Sequence, residues 1–525
     1  MGKHDWQSGR KIKLSSKKNV IISIVIISIV AIGILFVNLE TRSTIENEKP
    51  VEEKSVNDLP TSALQNNSIT ENVSYSIFKS KYVTTYSLPN GTGPNGIFVD
   101  KNGLVWIAGS SKHTLFQLDP ADGRLMSYPI PEKNVRETMV WTMVEDRNGN
   151  IWFSQFGQNL LWRFDPNTGR FNLFQTSAPP FQMKLDDTTD NIWFTTLTGN
   201  TIGLVQKVEN KTGPLYNITE FPLGNDTDPS GLFLKGGSVW IAELSKGKIA
   251  KFEAIRNNDG LVVNIKKTLE IPASDQTQFY SPTDVLVSGN RTVWVTEHGP
   301  STMTRYDTIS GKLTRFPTSQ RPDGITTLPF WMRESIDGKG IWYDEHQGGR
   351  VAFFNSYNMT LTEYELLNST ANPVVYTLNL AMDTSDSSKL WFSQWNLDRV
   401  GVVDNAIHLP FDISSDHTKV VLLNNNTKQK ATIYVEISRN NNRSNQMGQN
   451  MVFLGTSSSM MPNGEFSKIT ANFTVNSVDL SKINQPVPVQ LVLQNEGAKA
   501  GNYTLGISAS NGLVTKTIFF DLEIQ

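Results

Sequence analysis

Two similarly spelled stretches decide the fold: NIWFSQFG at 150–157 and NIWFTTLT at 191–198. Five further stretches match them around a tryptophan: LVWIAGSS (104–111), SVWIAELS (238–245), TVWVTEHG (292–299), GIWYDEHQ (340–347) and KLWFSQWN (389–396). Each is a short strand-like run that follows a turn such as DKNG or DRNG, and further strand-like runs flank it. Four short strands repeated in tandem are typical of a β-propeller, so seven tryptophan units predict seven blades.

The ends of the repeat indicate how the ring closes. The repeat covers residues 80–405, and its last unit supplies only three strands. The isolated run YVTTYSLP at 82–89 resembles the fourth strand of the other units. We expect it to complete blade seven, which removes two open sheet edges. The recurring tryptophan is then predicted to pack between neighbouring blades.

Residues 408–525 lack the tryptophan repeat and contain seven alternating strand-like runs joined by Asn, Gly and Ser turns. This pattern predicts an immunoglobulin-like β-sandwich. The expected fold class is therefore all-β: a seven-bladed β-propeller followed by the sandwich, with one N-terminal transmembrane helix.

The N-terminus predicts a membrane anchor. Residues 1–18 form a basic tail of charge +5, and 19–39 form an apolar run long enough to cross a bilayer. The basic flank favours a cytoplasmic N-terminus and an extracellular remainder, and no small-x-small cleavage site follows, so an uncleaved signal anchor is expected. The polar residues 40–79 are typical of a flexible stalk.

Composition narrows the function class. The chain has no cysteine, which excludes disulfides, thiolate metal sites and cysteine nucleophiles. The chain has a net charge of −2, and residues 19–525 alone carry −7, which argues against a nucleic-acid partner. Thirteen Asn-x-Ser/Thr sequons follow the apolar run and suit a glycosylated cell-surface protein. Sequons without cysteine favour an archaeal surface.

The blade GPNGIFVDKNGLVWIAG at 93–109, followed by LDPADGRLMSYPIP at 118–131, resembles a blade of the streptogramin (virginiamycin B) lyases. The resemblance covers residues 80–405. It implies a seven-bladed enzyme that opens a cyclic depsipeptide at its ester bond by magnesium-assisted elimination. It also implies a site at the axial channel mouth, with a glutamate three residues after the tryptophan and a histidine eleven residues before it.

We call the position three residues after each tryptophan the slot. In chain order the seven slot residues are Gly109, Gln155, Thr196, Glu243, Glu297, Glu345 and Gln394. No blade has a histidine at the position where the family has one. That position holds residues such as Asn95, Trp141 and Thr283. This departure puts the elimination mechanism in question. Two histidines follow slot glutamates instead, His298 and His346.

Equivalent positions in adjacent blades face a common axis, so the slot predicts a ligand site. Glu243, Glu297 and Glu345 are the candidate ligands of Mg²⁺ or Ca²⁺. Glu297, His298, Glu345 and His346 are the candidate catalytic set, with the imidazoles as general base and acid. Gln155, Glu243 and Gln394 are the candidate ligand-binding residues. The alternative is that Glu297 faces the channel while His298 points into a blade interface, because neighbouring strand residues alternate sides.

Three functions remain open at this point. The leading one is a membrane-anchored, lyase-like propeller that binds a small or cyclic ester ligand. A lactonase-type hydrolase also uses an axial divalent ion and is the less favoured enzyme. The alternative is a non-catalytic surface protein that recognises a glycan or protein, which the anchor and the sandwich favour.

Overall fold

The computed structural model describes residues 64–65, 69–70, 77–131, 139–210, 213–273, 278–321, 324, 326–366, 374–415, 417–423, 430–440, 450–458 and 468–525. All of them belong to one compact unit, Ser55–Gln525. The predicted tail at 1–18 and anchor at 19–39 lie outside the described residues. Within the described ranges, no helix has the length and hydropathy needed to span a bilayer.

Seven antiparallel sheets follow one another, each with four strands of the repeat and a tryptophan on its second strand. Blade one consists of Pro94–Val99, Val105–Gly109, Thr114–Leu118 and Leu125–Pro129. Blade two consists of Met143–Glu145, Ile151–Gln155, Leu160–Asp165 and Arg170–Gln175. Blade three consists of Pro180–Asp186, Asn191–Thr196, Thr201–Asn210 and Gly213–Pro222. Short 3₁₀ turns, Phe156–Gln158 and Trp395–Leu397, follow the second strands of blades two and seven.

Blades four to seven repeat the same order. Blade four consists of Pro229–Lys235, Ser238–Glu243, Lys248–Arg256 and Val262–Ile271, and blade five of Pro282–Ser288, Thr292–Glu297, Thr302–Asp307 and Leu313–Pro317. Blade six consists of Pro329–Glu334, Gly340–Glu345, Arg350–Asn355 and Thr360–Glu365. Blade seven consists of Thr377–Met382, Lys389–Gln394, Arg399–Asp404 and Val83–Ser87. The first strand of each blade contacts that of the next, and blade seven contacts blade one in the same way. This closed ring of first strands establishes a seven-bladed propeller.

The predicted ring closure is confirmed. Val83–Ser87 pairs antiparallel with Arg399–Asp404 as the fourth strand of blade seven, although more than 300 residues separate the two strands in sequence. The N-terminal and C-terminal ends of the repeat therefore share one sheet. Neither end leaves a free edge inside the ring, which protects the propeller from edge-to-edge pairing.

The recurring tryptophans pack between blades, as predicted. The Trp294 ring lies 5.2 Å from that of Phe354 in the next blade, and Trp106 lies 5.9 Å from Phe164. In blade one the turn before the second strand contributes too: Asp100 accepts hydrogen bonds from the backbone of Asn102 and from Trp106 Nε1, the latter at 3.0 Å. The DKNG turn is thus a hairpin turn whose aspartate also fixes the tryptophan.

The C-terminal residues form two facing sheets. One contains Phe411–Ser414, Lys430–Arg439, Val487–Asn495 and Ile469–Phe473, and the other contains Lys419–Leu422, Val514–Ile524, Gly501–Ser510, Met451–Ser458 and Ser477–Asp479. Alternating apolar residues such as Val435, Leu491 and Ile507 are buried between the sheets. The region is therefore a β-sandwich, and its immunoglobulin-like character remains a prediction. A short 3₁₀ turn, Leu480–Lys482, completes it.

The sandwich is joined to the propeller by a shared sheet. Val514–Ile524 pairs antiparallel with Thr360–Glu365, the fourth strand of blade six. The Phe519 ring packs against Phe316 of blade five, with the ring centroids 5.2 Å apart. Backbone bonds and apolar packing together fix the sandwich to this side of the ring.

The second half of the expected stalk contains three short strands that pair with the propeller. Leu64–Gln65 pairs with the fourth strand of blade two, and Ile69–Thr70 pairs with that of blade one. Ile77–Lys79 adds to the edge of blade seven. Short β-type pairs in this polar stretch attach it to the propeller rim, and sequence polarity alone gave no signal for that.

Candidate functional site

The slot residues end the second strand of each blade and are buried. Glu297 pairs across the sheet with Thr302, and Glu345 pairs with Arg350, so both lie beside the third strand of their own blade. The side-chain partners described below are on the third and fourth strands. The side chains of Glu243, Glu297 and Glu345 therefore point into their own blades and away from the axis.

Glu297 is the most completely bonded of the slot carboxylates. Arg315, on the fourth strand of the same blade, donates from Nε to Oε2 at 2.6 Å and from Nη2 to Oε1 at 2.9 Å. The hydroxyls of Thr302 and Thr304 and the backbone N–H of Tyr280 also donate to it. Both oxygens of Glu297 are consumed by structural bonds inside the blade.

Glu243 contacts a partly exposed cation. Lys267 Nζ lies 3.4 Å from Glu243 Oε1, and the lysine also binds Glu270 at 2.5 Å. Burial raises the pKa of Glu243, and Lys267 offsets part of that rise. Glu243 therefore shares Lys267 with a surface residue, which makes the pair weaker than that of Glu297.

Glu345 lies in a crowded group of carboxylates around Arg350. Arg350 Nη1 is 4.0 Å from Glu345 and 3.7 Å from Glu363, while its Nε binds Glu365 at 2.5 Å. Burial, and then the neighbouring Glu363, raise the pKa of Glu345 well above its usual value. Burial and the neighbouring carboxylates therefore favour the neutral form of Glu345.

The predicted metal site does not fit this arrangement. Glu243, Glu297 and Glu345 each point into a different blade, and in the part of the chain that the structure describes no three His, Asp or Glu side chains gather as metal ligands do. Gln155 likewise accepts a bond from Trp162 of its own blade, and Gln394 is buried. The expectation that the slot side chains face the axis is not met. Successive residues of a strand point to opposite sides, and the slot glutamates lie on the side away from the axis.

Four of the residues that follow a slot contact aromatic rings near the axis instead. In chain order the seven following residues are Ser110, Phe156, Leu197, Leu244, His298, His346 and Trp395. The four with these ring contacts are Phe156, His298, His346 and Trp395. The His298 and His346 rings are 5.7 Å apart, and Phe156 packs on Trp141 at 6.3 Å. The two predicted histidines are thus brought together, whereas the glutamates predicted to act with them are not.

Four aromatic rings fill the axis directly beneath these residues. Trp141 of blade two lies 6.1 Å from Phe330 of blade six, so this contact crosses the centre of the ring. Phe181 of blade three lies 4.9 Å from Trp141 and 5.2 Å from Trp331. All four side chains are at most 3% exposed. We call Trp141, Phe181, Phe330 and Trp331 the axial plug.

A charged layer lies deeper along the same axis. Gln182 Nε2 donates to Asp284 Oδ1 at 3.2 Å, and Arg333 Nη2 donates to Asn379 at 2.9 Å. Burial lowers the pKa of Lys184 to about 7, with Arg333 as a second cause. Our sequence reasoning missed this layer. The available signal was a charged residue inside an apolar first strand, as in FQMKLD at 181–186 and FWMRE at 330–334.

We call the group above the plug the mouth: Phe156, His298, His346, Tyr376 and Trp395. His298 and His346 are 1% and 2% exposed, whereas the other three rings are half-buried. Within the described residues, both ring nitrogens of His298 and Nδ1 of His346 have no hydrogen-bond partner.

Burial keeps both imidazoles of the mouth neutral. It lowers the pKa of His346 to about 4, and it lowers the pKa of His298 well below 6.5, with His346 as a second cause. The unfolded chain takes up these protons near pH 6.5, but the folded protein does not. Stability from these groups is therefore complete above about pH 6.5 and falls as the pH drops toward 4.

This difference predicts a histidine-dependent loss of stability in acid. Between neutral pH and about pH 5, we expect the wild type to lose about 2 kcal/mol more unfolding free energy than His346→Gln, measured by denaturant titration. His417→Gln is the control, because it replaces an exposed histidine of the C-terminal sandwich in the same way. Equal pH dependence in His346→Gln and wild type would contradict a neutral, desolvated His346.

Comparisons with known proteins agree with the propeller. No protein-family model matches the chain, and no curated protein matches it. The structure is similar to virginiamycin B lyase from Staphylococcus aureus, with 22% identity and a TM-score of 0.47 over 61% of this chain and 98% of that chain. A catalytically inactive variant of that lyase with quinupristin gives 21% and 0.48, again over 61% and 98%.

A streptogramin B lyase structure gives 20% identity and a TM-score of 0.48 over 62% of this chain and 97% of that one. The predicted resemblance to this family is therefore also found among solved structures. At these identities it concerns the fold, which the ring of sheets already establishes. The chain is a seven-bladed propeller similar to the virginiamycin B lyases, with a β-sandwich attached.

Proposed function

We propose that the protein is a surface-anchored propeller that binds a small, ring-containing ligand at the mouth. One observation carries this proposal: two buried imidazoles, 5.7 Å apart, lie among half-buried aromatic rings and have ring nitrogens without a protein partner. A buried polar group left unpaired costs about 1–3 kcal/mol. A ligand or water that bonds these nitrogens recovers that energy, which makes the mouth a favoured place for polar contacts.

The surrounding rings supply the apolar part of recognition. Tyr376 lies 5.8 Å from His346 and 6.3 Å from Trp395, so an aromatic rim continues from the imidazoles toward solvent. The axial plug below gives the site a rigid floor. Rigid aromatic walls with a few placed polar groups are the usual composition of small-molecule sites. A cyclic compound with one or two hydrogen-bonding groups matches this mouth.

Binding is better supported than catalysis. Glu297 is held by Arg315, and burial together with Glu363 disfavours the charged form of Glu345, so the slot is poorly suited to supply carboxylates to a shared Mg²⁺ or Ca²⁺. A general base works best with a pKa near the working pH, and the pKa of His346 is about 4. Proton removal by a neutral imidazole remains the second candidate, favoured only by the pairing of the two histidines.

The remaining parts of the proposal concern location. Residues 19–39 would anchor the chain in the membrane, with 1–18 in the cytoplasm and the propeller outside, on a cell surface of archaeal type. The sequons would carry glycans, and the sandwich would serve as an immunoglobulin-like spacing module. The continuous sheet between sandwich and blade six supports a rigid connection of this kind.

The test uses cyclic depsipeptides, with quinupristin as the first probe, and a set of heteroaromatic fragments. Binding to the full-length chain is followed by ligand-observed NMR, and ester opening is followed by mass spectrometry. We expect compounds that bind without being opened, and at least tenfold weaker binding in His346→Leu and Trp395→Ala because each removes one wall of the mouth.

The matched control is Tyr357→Ala, which removes an exposed aromatic ring from a turn at the opposite end of blade six. It should bind like the wild type. Ester opening that disappears in His346→Leu would establish the second candidate instead. Binding that is unchanged in both mouth variants would contradict the proposed site.

A further inference from the structure

The junction between propeller and sandwich contains two adjoining cavities of about 430 and 320 Å³. They share Ser319, Gln320 and Arg321, which follow the last strand of blade five. The larger cavity also contacts Arg350 and Glu365 of blade six and Phe453, Ser508 and Ser510 of the sandwich. We call the two cavities together the junction cleft. Its size falls in the range of about 300–1,000 Å³ that is usual for small-molecule sites.

The propeller wall of the cleft is polar but close to neutral. Arg350 is 3% exposed and is held by Glu365 at 2.5 Å and by Ser319 Oγ at 2.7 Å. Glu363 lies 3.7 Å away from it. The carboxylates of Glu363 and Glu365 balance the charges of Arg350 and Arg321, so an anion gains little here.

The sandwich wall consists of small side chains on two paired strands. Gly455 lies opposite Ser508, and Ser457 lies opposite Gly506. The Ser457 hydroxyl is buried and finds no partner among the described residues. Beside this flat surface, the Phe453 ring stands 58% exposed at the edge of the larger cavity.

These walls offer many hydroxyl and planar polar groups next to one accessible aromatic face. Several lining hydroxyls already bond within the protein, as Thr318 does with Thr327 and Thr515 does with Ser510. A hydroxyl can both donate and accept, so these groups keep bonding capacity for a ligand, and the Ser457 hydroxyl has no partner among the described residues. A lipid chain would use none of this capacity and would leave Ser457 unpaired, which is costly. A neutral ligand that is itself rich in hydroxyls, with an apolar ring face, satisfies both parts of the surface.

We propose that the junction cleft is a saccharide-binding site in which Phe453 stacks on a sugar ring and Arg350, Glu365 and Gln320 bond its hydroxyls. The shared sheet between blade six and the sandwich holds the two walls at a fixed separation, so the site needs little ordering when it binds. The site is separate from the mouth and uses none of its residues.

The experiment measures binding of maltotriose, cellotriose, chitotriose and mannotriose to the full-length chain by titration calorimetry and saturation-transfer NMR. We expect at least one trisaccharide to bind, Phe453→Ala to weaken binding at least tenfold, and Ser510→Trp to abolish it by filling the cleft. Tyr434→Ala removes a comparably exposed ring, 52% exposed, that does not line the cleft, and it should bind normally.

Thermal unfolding of every variant shows whether the fold is intact, and Trp395→Ala should bind saccharide like the wild type because it alters only the mouth. Absence of binding by all four trisaccharides would overturn the proposal. Equal binding by wild type, Phe453→Ala and Ser510→Trp would overturn it as well, since the sugar would then be bound elsewhere.

Discussion

Replacement of Glu297 by Gln is expected to lower the free energy of unfolding by about 3–5 kcal/mol. The substitution keeps the size of the side chain but leaves the guanidinium of Arg315, whose side chain is 1% exposed, without its counter-charge. Removing one partner of a buried ion pair leaves an uncompensated charge in a medium of low polarity. Denaturant titration of the full-length chain measures the loss.

Two further variants make this test specific. The double substitution Glu297→Met with Arg315→Met should recover most of the lost stability, because buried apolar pairs often replace ion pairs without loss. Glu243→Gln at the equivalent position of blade four should cost less, since its partner Lys267 is 34% exposed. An unchanged or more stable Glu297→Gln protein would contradict the structural role and return the carboxylate to ligand binding.

Trp331→Ala is expected to destabilise the protein by about 3–5 kcal/mol. The ring is completely buried on the axis and lies 4.5 Å from Phe330 and 5.2 Å from Phe181. Its removal leaves a cavity at a point where several blades meet, and the closed ring of strands cannot collapse to fill it. The unfolding free energy of the variant, determined under the conditions used for Glu297→Gln, gives the magnitude.

The control for the axial plug is Trp395→Ala in the mouth. Trp395 is half-buried at the rim, so its removal should cost much less than that of Trp331. Similar losses for the two variants would mean that the plug and the rim are buried alike, which would remove the distinction between rigid floor and open mouth on which the proposed function depends.

Much of the fold could be predicted from the tryptophan repeat because every blade has a tryptophan at the same position of its second strand. Seven copies of one strand–turn–strand pattern fixed the number of blades, and the orphan strand at 82–89 fixed the closure. The attachment of the sandwich could not be predicted. Thr360–Glu365 and Val514–Ile524 are both alternating strands, and alternation specifies a buried face but no partner strand.

The sequence predicted the two histidines of the candidate site but not the position of the glutamates. The difference depends on which side of the second strand faces the axis. A strand places Glu297 and His298 on opposite sides, and nothing in the local pattern says which side is axial. The deciding residue is Arg315, eighteen positions later in the chain. Its guanidinium donates a hydrogen bond to Glu297 inside the blade. His298 and His346 recur because their position lies at the mouth, next to rings supplied by other blades.

The most direct measurement of this arrangement uses the absence of cysteine from the chain. Single variants Phe156→Cys and Trp395→Cys are compared with their slot neighbours Gln155→Cys and Gln394→Cys for the rate of reaction with a maleimide in the folded protein. We predict fast labelling at the two mouth positions and protection at the two slot positions until the protein unfolds. Fast labelling of the slot cysteines with protection of the mouth cysteines would contradict the account.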